Sequence, residues 1–272
     1  TAPRGAKWGA IGDNEKCEDV VKAEEEGSKP AFLIRKYTFN GQKGEETVKE
    51  KSGYAKNTDA KISGNDISIG DGYLQFTGES ITSKPMLDLG EDVNNDSFSI
   101  SVEMWVTADP DNAGWSRLFQ FGNEQGNSIA LHRWADTGKL CLSTFLNNKH
   151  LSVKTEVDFN KLEMAHVVGI FNRIERKGYI YVNGSLEGSG PIDFPTMTKK
   201  NYVGKSLMNQ DAGFKGKIHE FRIYNGVLDI ETIDSNLKNG ADKESSNLII
   251  IIIIIVIVLI AGIAGTVFAL QR

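Results

Sequence analysis

The side chains able to act as nucleophiles, bases or soft-metal ligands are few and scattered in this sequence. His132, His150, His166 and His219 are its four histidines, and none falls in a His-Glu-x-x-His or comparable ligand spacing. The two cysteines, Cys17 and Cys141, form no Cys-x-x-Cys, which removes the common zinc and thiol-redox motifs. They leave open either one bridge between them, or a buried Cys141 with a free Cys17. No Gly-x-Ser-x-Gly elbow, phosphate-binding loop or dinucleotide fingerprint occurs. Asn95-Asp96-Ser97 and Asn183-Gly184-Ser185 fit the N-glycosylation acceptor pattern. Asn183-Gly184 also has a purely structural reading, as the centre of a type I′ hairpin turn. A formal charge of −5, with no Lys/Arg cluster interleaved with aromatics, argues against nucleic acid as a partner.

The elements that carry these residues are mostly strands. Residues 1–30 form a polar N-terminal extension with one short helix, capped by Asn14 and running through Cys17, Val20 and Val21 to Glu26. Thr1-Ala2-Pro3-Arg4 looks like a mature end left by a targeting peptide. From Phe32 on, short apolar runs alternate with Gly, Asn and Asp. Phe98, Ile100, Val102, Met104 and Val106 keep a strict period of two, which places five apolar side chains on one sheet face. Other strands are expected at Phe32–Phe39, Tyr73–Phe76, 117–121, 128–131, 140–145, 166–171, 179–182, around Leu186, at 202–204 and at 216–224, with a helix or turn at 229–237. Ten or so short strands and little helix predict an all-β, antiparallel two-sheet sandwich over residues 31–238.

The 23 residues from Leu248 to Leu270 carry no charge. As a helix they span about 35 Å, enough for a hydrocarbon core of ~30 Å. Ile249 to Ile255 would favour a strand in water. In lipid a lone strand leaves its backbone unpaired, so a single transmembrane helix is expected. The small residues Asn239, Gly240 and Ala241 before a polar spacer also fit a glycolipid-anchor signal, whose tail would be removed. Residues 239–247 then form a short linker that keeps the sandwich near the bilayer, and 271–272 a tail whose Arg272 weakly favours the cytoplasmic side. The sandwich is thus expected on the non-cytoplasmic side, lumenal or intermembrane, of a cell-surface or organellar membrane. Ala261 with Gly265, and Gly262 with Thr266, offer small-xxx-small pairs for close helix packing.

The run from Phe214 to Leu228, FKGKIHEFRIYNGVL, resembles the last strand of laminin-G-like, concanavalin A-like jelly-roll domains, which reads Gly-x-Ile-Asp-Glu-x-Arg-Ile-Tyr-Asn-x-x-Leu. Val102-Glu103-Met104-Trp105-Val106, the Tyr181-Val182-Asn183-Gly184 hairpin and His166 in a strand that usually reads Trp-x-His-Val agree with it, in the same order along the chain. Met164 stands where the family has Trp, and His219 where it has Asp. The resemblance implies a jelly roll with His166 as a satisfied buried imidazole.

It also implies where to look for chemistry. Calcium, the family's common ion, would be held by rim oxygens such as Asp109, Asp111, Asn112, Asn209 and Asp211. A glycan would meet the loop aromatics Trp115 and Trp134. Retaining glucanases of this superfamily carry Glu-x-Asp-x-x-Glu, and the nearest match, Glu156-Val157-Asp158-Phe159-Asn160-Lys161, has lysine where the acid/base belongs. A non-catalytic role is therefore expected, with no required cofactor. The first expectation is an accessory subunit of a larger membrane complex, contacting lipid and partner subunits. The alternative is a cell-surface carbohydrate-binding or adhesion receptor, and a glycoside hydrolase is remote.

Overall fold

The computed structural model describes residues 30–242 apart from 57, 79–84, 92, 94–98, 125, 148, 196–198 and 209. The helix expected over 14–26, with Cys17, and also Asn95, Asn209 and the run Leu248–Leu270 with Ala261, Gly262, Gly265 and Thr266 lie outside the described residues. Among the described residues no helix is long and apolar enough to cross a membrane.

Two eight-stranded antiparallel sheets form the sandwich. The first has the order β14 (Ser185–Pro191), β13 (Lys177–Val182), β12 (Ala165–Asn172), β7 (Ile100–Ala108), β16 (Lys215–Asn225), β5 (Tyr73–Thr77), β4 (Ile67–Gly70), with β1 (Phe32–Thr38) also paired to β16. Strand β16 is long enough to hold β5 along its first half and β1 along its second. The second sheet has the order β11 (Lys149–Lys154), β10 (Leu140–Leu146), β9 (Asn127–Arg133), β8 (Arg117–Glu124), β15 (Lys200–Val203), β6 (Met86–Asp88), β3 (Ala60–Ser63), β2 (Thr47–Val48). Between Phe39 and Tyr73, where the sequence predicts no strand, lie three short ones, β2, β3 and β4. Runs such as Thr47–Val48 are too brief to show a period of two.

Alternate residues of both sheets meet in one core. Ile100, Val102, Met104 and Val106 of β7 face Phe119 and Phe121 of β8, with Phe171, Ile218, Phe221 and Ile223 beside them. The other face of the first sheet is buried too. Helix α1 (Ile230–Asn239) lies on it, capped by the Asp229 carboxylate, which accepts from Thr232 N at 2.7 Å, and closed by Gly240 at φ 71°. Its Ile233 packs with Val168, Ile170, Tyr224 and Leu228.

Next to this apolar patch sits a buried ionic cluster. The Glu103 carboxylate, fully buried, accepts from His166 Nε2 at 2.7 Å, Tyr224 Oη at 2.7 Å, Asn236 Nδ2 at 3.1 Å and Arg222 at 3.3 Å. Arg222 also donates to Glu220, and its guanidinium lies 4.5 Å from the Trp105 ring, which in turn packs on His166. Burial works against the Arg222 charge, but Glu220 and Glu103 outweigh it and hold its pKa above the usual range. Burial, and then the Glu103 charge, raise Tyr224. Asn236 comes from α1, so the helix is tied to the sheet through the same carboxylate. His166 is satisfied only at Nε2, since its buried Nδ1 has no hydrogen-bond partner among the described residues.

The Asn183-Gly184 turn has the expected form, with φ of 50° and 80°. The Asn183 side chain accepts from His166 N at 2.9 Å, so this acceptor asparagine is bonded into the sheet.

Candidate functional site

The outer face of the second sheet, unlike that of the first, carries no helix among the described residues. Its strands present Gln120 of β8, Ser128, Ala130 and His132 of β9, and Cys141 and Ser143 of β10 on one face, all fully buried. A loop covers the Gln120 end. Leu207 N donates to Gln120 Oε1 at 2.9 Å, with Ser206 Oγ 3.2 Å from the same oxygen, while Gln120 Nε2 donates to Ser128 Oγ at 2.8 Å.

Protonation along this strip can be assigned from its partners. His132 Nδ1 lies 2.9 Å from the Arg133 carbonyl, which can only accept, so Nδ1 carries the proton. Nε2 then accepts from Ser143 Oγ at 2.8 Å, and His150 Nε2 donates to the same hydroxyl at 3.1 Å. Burial, followed by the charge of Arg117, pushes the His132 pKa down to about 3, so the ring is neutral. Burial, with Arg117 and Lys154, lowers His150 as well. Cys141 is a buried free thiol 3.4 Å from Ser143 Oγ, and burial raises its pKa, which makes it an inert member of the strip.

At the end of this strip the structure brings together the two tryptophans picked out as rim aromatics. Trp115 stacks on His132 with centroids 5.8 Å apart and meets Trp134 edge-on at 4.7 Å. Lys154 places its ammonium 3.5 Å from the centre of the Trp134 ring. Trp115 is 37% exposed and has a left-handed backbone, φ 64°, unusual for a bulky residue. What holds it there is Arg117, whose buried guanidinium donates to the Trp115 carbonyl and pairs with Asp211 at 2.8 Å. The two tryptophan-bearing loops are also packed together. A Cβ on Gly114 would come within 2.9 Å of the Ala135 backbone, so only glycine allows that approach.

The calcium candidates fall into two separate places. Asp109 accepts from Asp111 N at 2.9 Å and lies 3.4 Å from Lys215 Nζ, while buried Asn112 accepts from Lys215 N at 2.8 Å. Asp211 is at the other place, paired with Arg117 and accepting from Ser206 Oγ at 2.8 Å. Among the described residues no three His, Cys, Asp or Glu side chains gather as metal ligands do. The glucanase-like stretch shows no carboxylate pair. Glu156 is 84% exposed and bonded to Lys139, and Asp158 caps a 3-10 helix (Phe159–Lys161) and pairs with Lys161. His219 donates to or accepts from Thr107 Oγ1 at 3.0 Å, and Met164 is exposed, where the family's Trp would be.

Arg117, Ser143 and Lys154 join the site without any motif to mark them. The one signal that could have found them is the period of two, since Gln120, Ser128, His132, Cys141 and Ser143 are polar or small at alternating strand positions.

Comparison with known proteins agrees with this architecture. A family model described as the concanavalin A-like lectin/glucanases superfamily, of laminin G type, matches residues 70–234. No curated protein matches the sequence. Among solved structures, domain 4 of AbnA, a GH43 extracellular arabinanase from Geobacillus stearothermophilus, in complex with arabinotriose, is 20% identical with a TM-score of 0.60, over 76% of this chain and 98% of that one. The binding domain of Paraclostridial Mosquitocidal Protein 1 is 17% identical with a TM-score of 0.58, over 76% and 52%. The botulinum neurotoxin serotype D/C binding domain is 13% identical with a TM-score of 0.59, over 75% and 52%. The chain spans about half the length of these toxin domains, and at such identities the likeness is one of fold. With more than half of its residues matched by the family model, the chain belongs to the concanavalin A-like lectin/glucanases superfamily.

Proposed function

We propose that the chain is a non-catalytic, membrane-anchored binding module that takes a saccharide at the Trp115/Trp134 rim. The observation that carries this reading is the geometry of Trp115. An exposed indole is held in a strained backbone by a buried Arg117–Asp211 pair and backed by a neutral imidazole. A strained bulky residue with that much support is positioned for something other than packing. A flat, partly exposed indole offers an apolar face to the C–H side of a sugar and an N–H edge to its hydroxyls. The arabinotriose bound by domain 4 of AbnA supports a saccharide as the first ligand to test.

Covering about 60 Å² of ring face at ~25 cal/mol/Å² is worth ~1.5 kcal/mol, roughly tenfold in affinity. Titration of arabinotriose and a glycan array against the full chain should show binding that Trp115→Ala weakens about tenfold or more. Binding unchanged in Trp115→Ala and Trp134→Ala, or no binding to any glycan, would remove this reading. Catalysis has no support in the exposed, lysine-paired Glu156.

The companion reading is an accessory subunit of a membrane assembly, held by Leu248–Leu270 among lipid and partner helices. It rests on the uncharged run and its Ala261/Gly265 and Gly262/Thr266 pairs. Co-migration with partners in a mild native detergent extract would support it, and migration alone would defeat it.

A further inference from the structure

Trp115 and Trp134 give a sugar apolar surface, but two indoles leave most of its hydroxyls without partners. Several charged groups around the rim are already spent. Arg117 pairs with Asp211, Lys139 with Glu156 and Lys161 with Asp158, and Arg133 Nε donates to the Thr137 carbonyl. Lys154 and Asp136 differ. Both are exposed, and among the described residues their side chains make no hydrogen bond or ion pair, with each other or with any neighbour.

The fold places both at the tryptophans. Lys154, Cys141, His132 and Arg117 lie opposite one another across β11, β10, β9 and β8, so their side chains share one face. Lys154 is thus two strands, about 10 Å, from the histidine on which Trp115 stacks. Edge strand β14 packs on its backbone, where a Cβ on Gly188 would come within 2.4 Å of the Lys154 carbonyl. From there the side chain reaches over Trp134, with Nζ 3.5 Å from the ring centre, and Trp134 lies 4.7 Å from Trp115. The ammonium is therefore within a sugar's breadth of the Trp115 ring. Asp136 follows Trp134 in a turn closed by Thr137 N on the Trp134 carbonyl at 3.1 Å. Its Oδ1 would be 2.7 Å from a Cβ on Gly114, so the carboxylate stands where the two tryptophan loops meet.

We infer that Lys154 and Asp136 are the polar contacts of the saccharide site, the ammonium donating to one oxygen and the carboxylate accepting from one hydroxyl of a neutral sugar laid on Trp115. This assignment rests on the saccharide reading given above. An ammonium only donates and an ionised carboxylate only accepts, whereas a hydroxyl does both. A polyhydroxylated ligand therefore satisfies both groups, and an apolar ring satisfies neither. The opposite charges also favour a neutral sugar, since an acidic one would meet Asp136 and a basic one Lys154. The Trp134 ring holds the ammonium in place before a ligand arrives, which lowers the cost of ordering a long side chain on binding.

Calorimetric titration of the full chain with arabinotriose, and with any further glycan an array returns, tests this. Lys154→Met and Asp136→Ala should each weaken binding about tenfold, the loss of one hydrogen bond to a charged group. Neither side chain is bonded within the fold, so thermal unfolding of both variants should stay close to wild type. Methionine keeps a flexible apolar chain against Trp134, so its loss of affinity reads the ammonium. To separate the donor from the charge, Lys154→Cys is alkylated to carry an aminoethyl or a trimethylaminoethyl group, with the wild-type chain treated alike to account for its own cysteines. The aminoethyl form should bind within about threefold of wild type. The trimethyl form keeps a cation over Trp134 but has no N–H, and should stay as weak as Lys154→Met. Equal affinity of the two alkylated forms, or wild-type affinity in Lys154→Met or Asp136→Ala, would overturn the assignment while leaving a saccharide at Trp115. A wild-type chain that binds no glycan would overturn both.

Discussion

Replacing Glu103 by alanine should destabilise the sandwich strongly. Four donors converge on that group: His166 Nε2, Tyr224 Oη, Asn236 Nδ2 and Arg222. Without it Arg222 keeps Glu220 but loses half of its anionic surroundings, and the His166, Tyr224 and Asn236 donors are stranded in a buried site. Breaking a buried pair in this way costs ~3–5 kcal/mol. For a domain of this size each kcal/mol moves Tm by about 2–4 °C, so a drop of roughly 6–20 °C is expected. Glu103→Gln keeps the volume and one acceptor, and should lose about half as much. Tyr224→Phe removes one bond to Glu103 and one from Asn236, and should cost ~1 kcal/mol. Because the residues share one network, Tyr224→Phe in the Glu103→Ala background should cost less than in the wild type. Urea unfolding of the full chain, followed by tryptophan fluorescence, reads all of these, and Trp105 reports from inside the cluster, packed on both His166 and Arg222. A Glu103→Ala chain within ~1 kcal/mol of wild type, or strictly additive effects, would refute the view that this carboxylate ties α1 to the sheet.

His132 makes stability depend on pH. Its ordinary value of 6.5 falls to about 3 in the fold, so the unfolded chain binds a proton that the folded chain refuses. Stability is therefore full above pH 6.5 and is lost as pH falls toward 3, at ~1.4 kcal/mol per pH unit for this one group. His132→Gln should flatten the stability profile by about one proton between pH 6 and 4, and an unchanged slope would count against the assignment. Asp211→Ala strands the buried Arg117 guanidinium, so a loss of ~3–5 kcal/mol is expected in thermal unfolding, with weaker saccharide binding because Arg117 holds the Trp115 carbonyl. Asn183→Ala should cost about 1–2 kcal/mol, since alanine resists φ 50° and cannot accept from His166 N, while Asn183→Gly should cost less.

The sequence made the sandwich legible where strands are long and half-buried. The alternation through Ile100, Val102, Met104 and Val106 named the core face of β7 correctly. It did not show that Ser101, Glu103 and Trp105 on the other face are buried as well, because a period of two says which residues share a face and not what covers it. The cover is α1, whose capping Asp229 was visible but whose docking depends on Ile233 and Asn236 meeting residues more than sixty positions away. The rim tryptophans were legible as loop aromatics. Their contact was not, since it is made by two loops that approach at Gly114 and by an Arg117–Asp211 pair 94 positions apart in sequence.

The two outer faces divide the work between them. On the first sheet α1 covers the face, and the charges beneath it are spent on one another, so that face has little left to offer a ligand. On the second sheet no helix among the described residues lies over the strip from Gln120 to His150, and burial followed by Arg117 pushes the pKa of His132 and His150 down. A neutral, hydrogen-bonded floor suits an uncharged sugar beside the exposed Trp115, because binding there requires no buried ion to be desolvated.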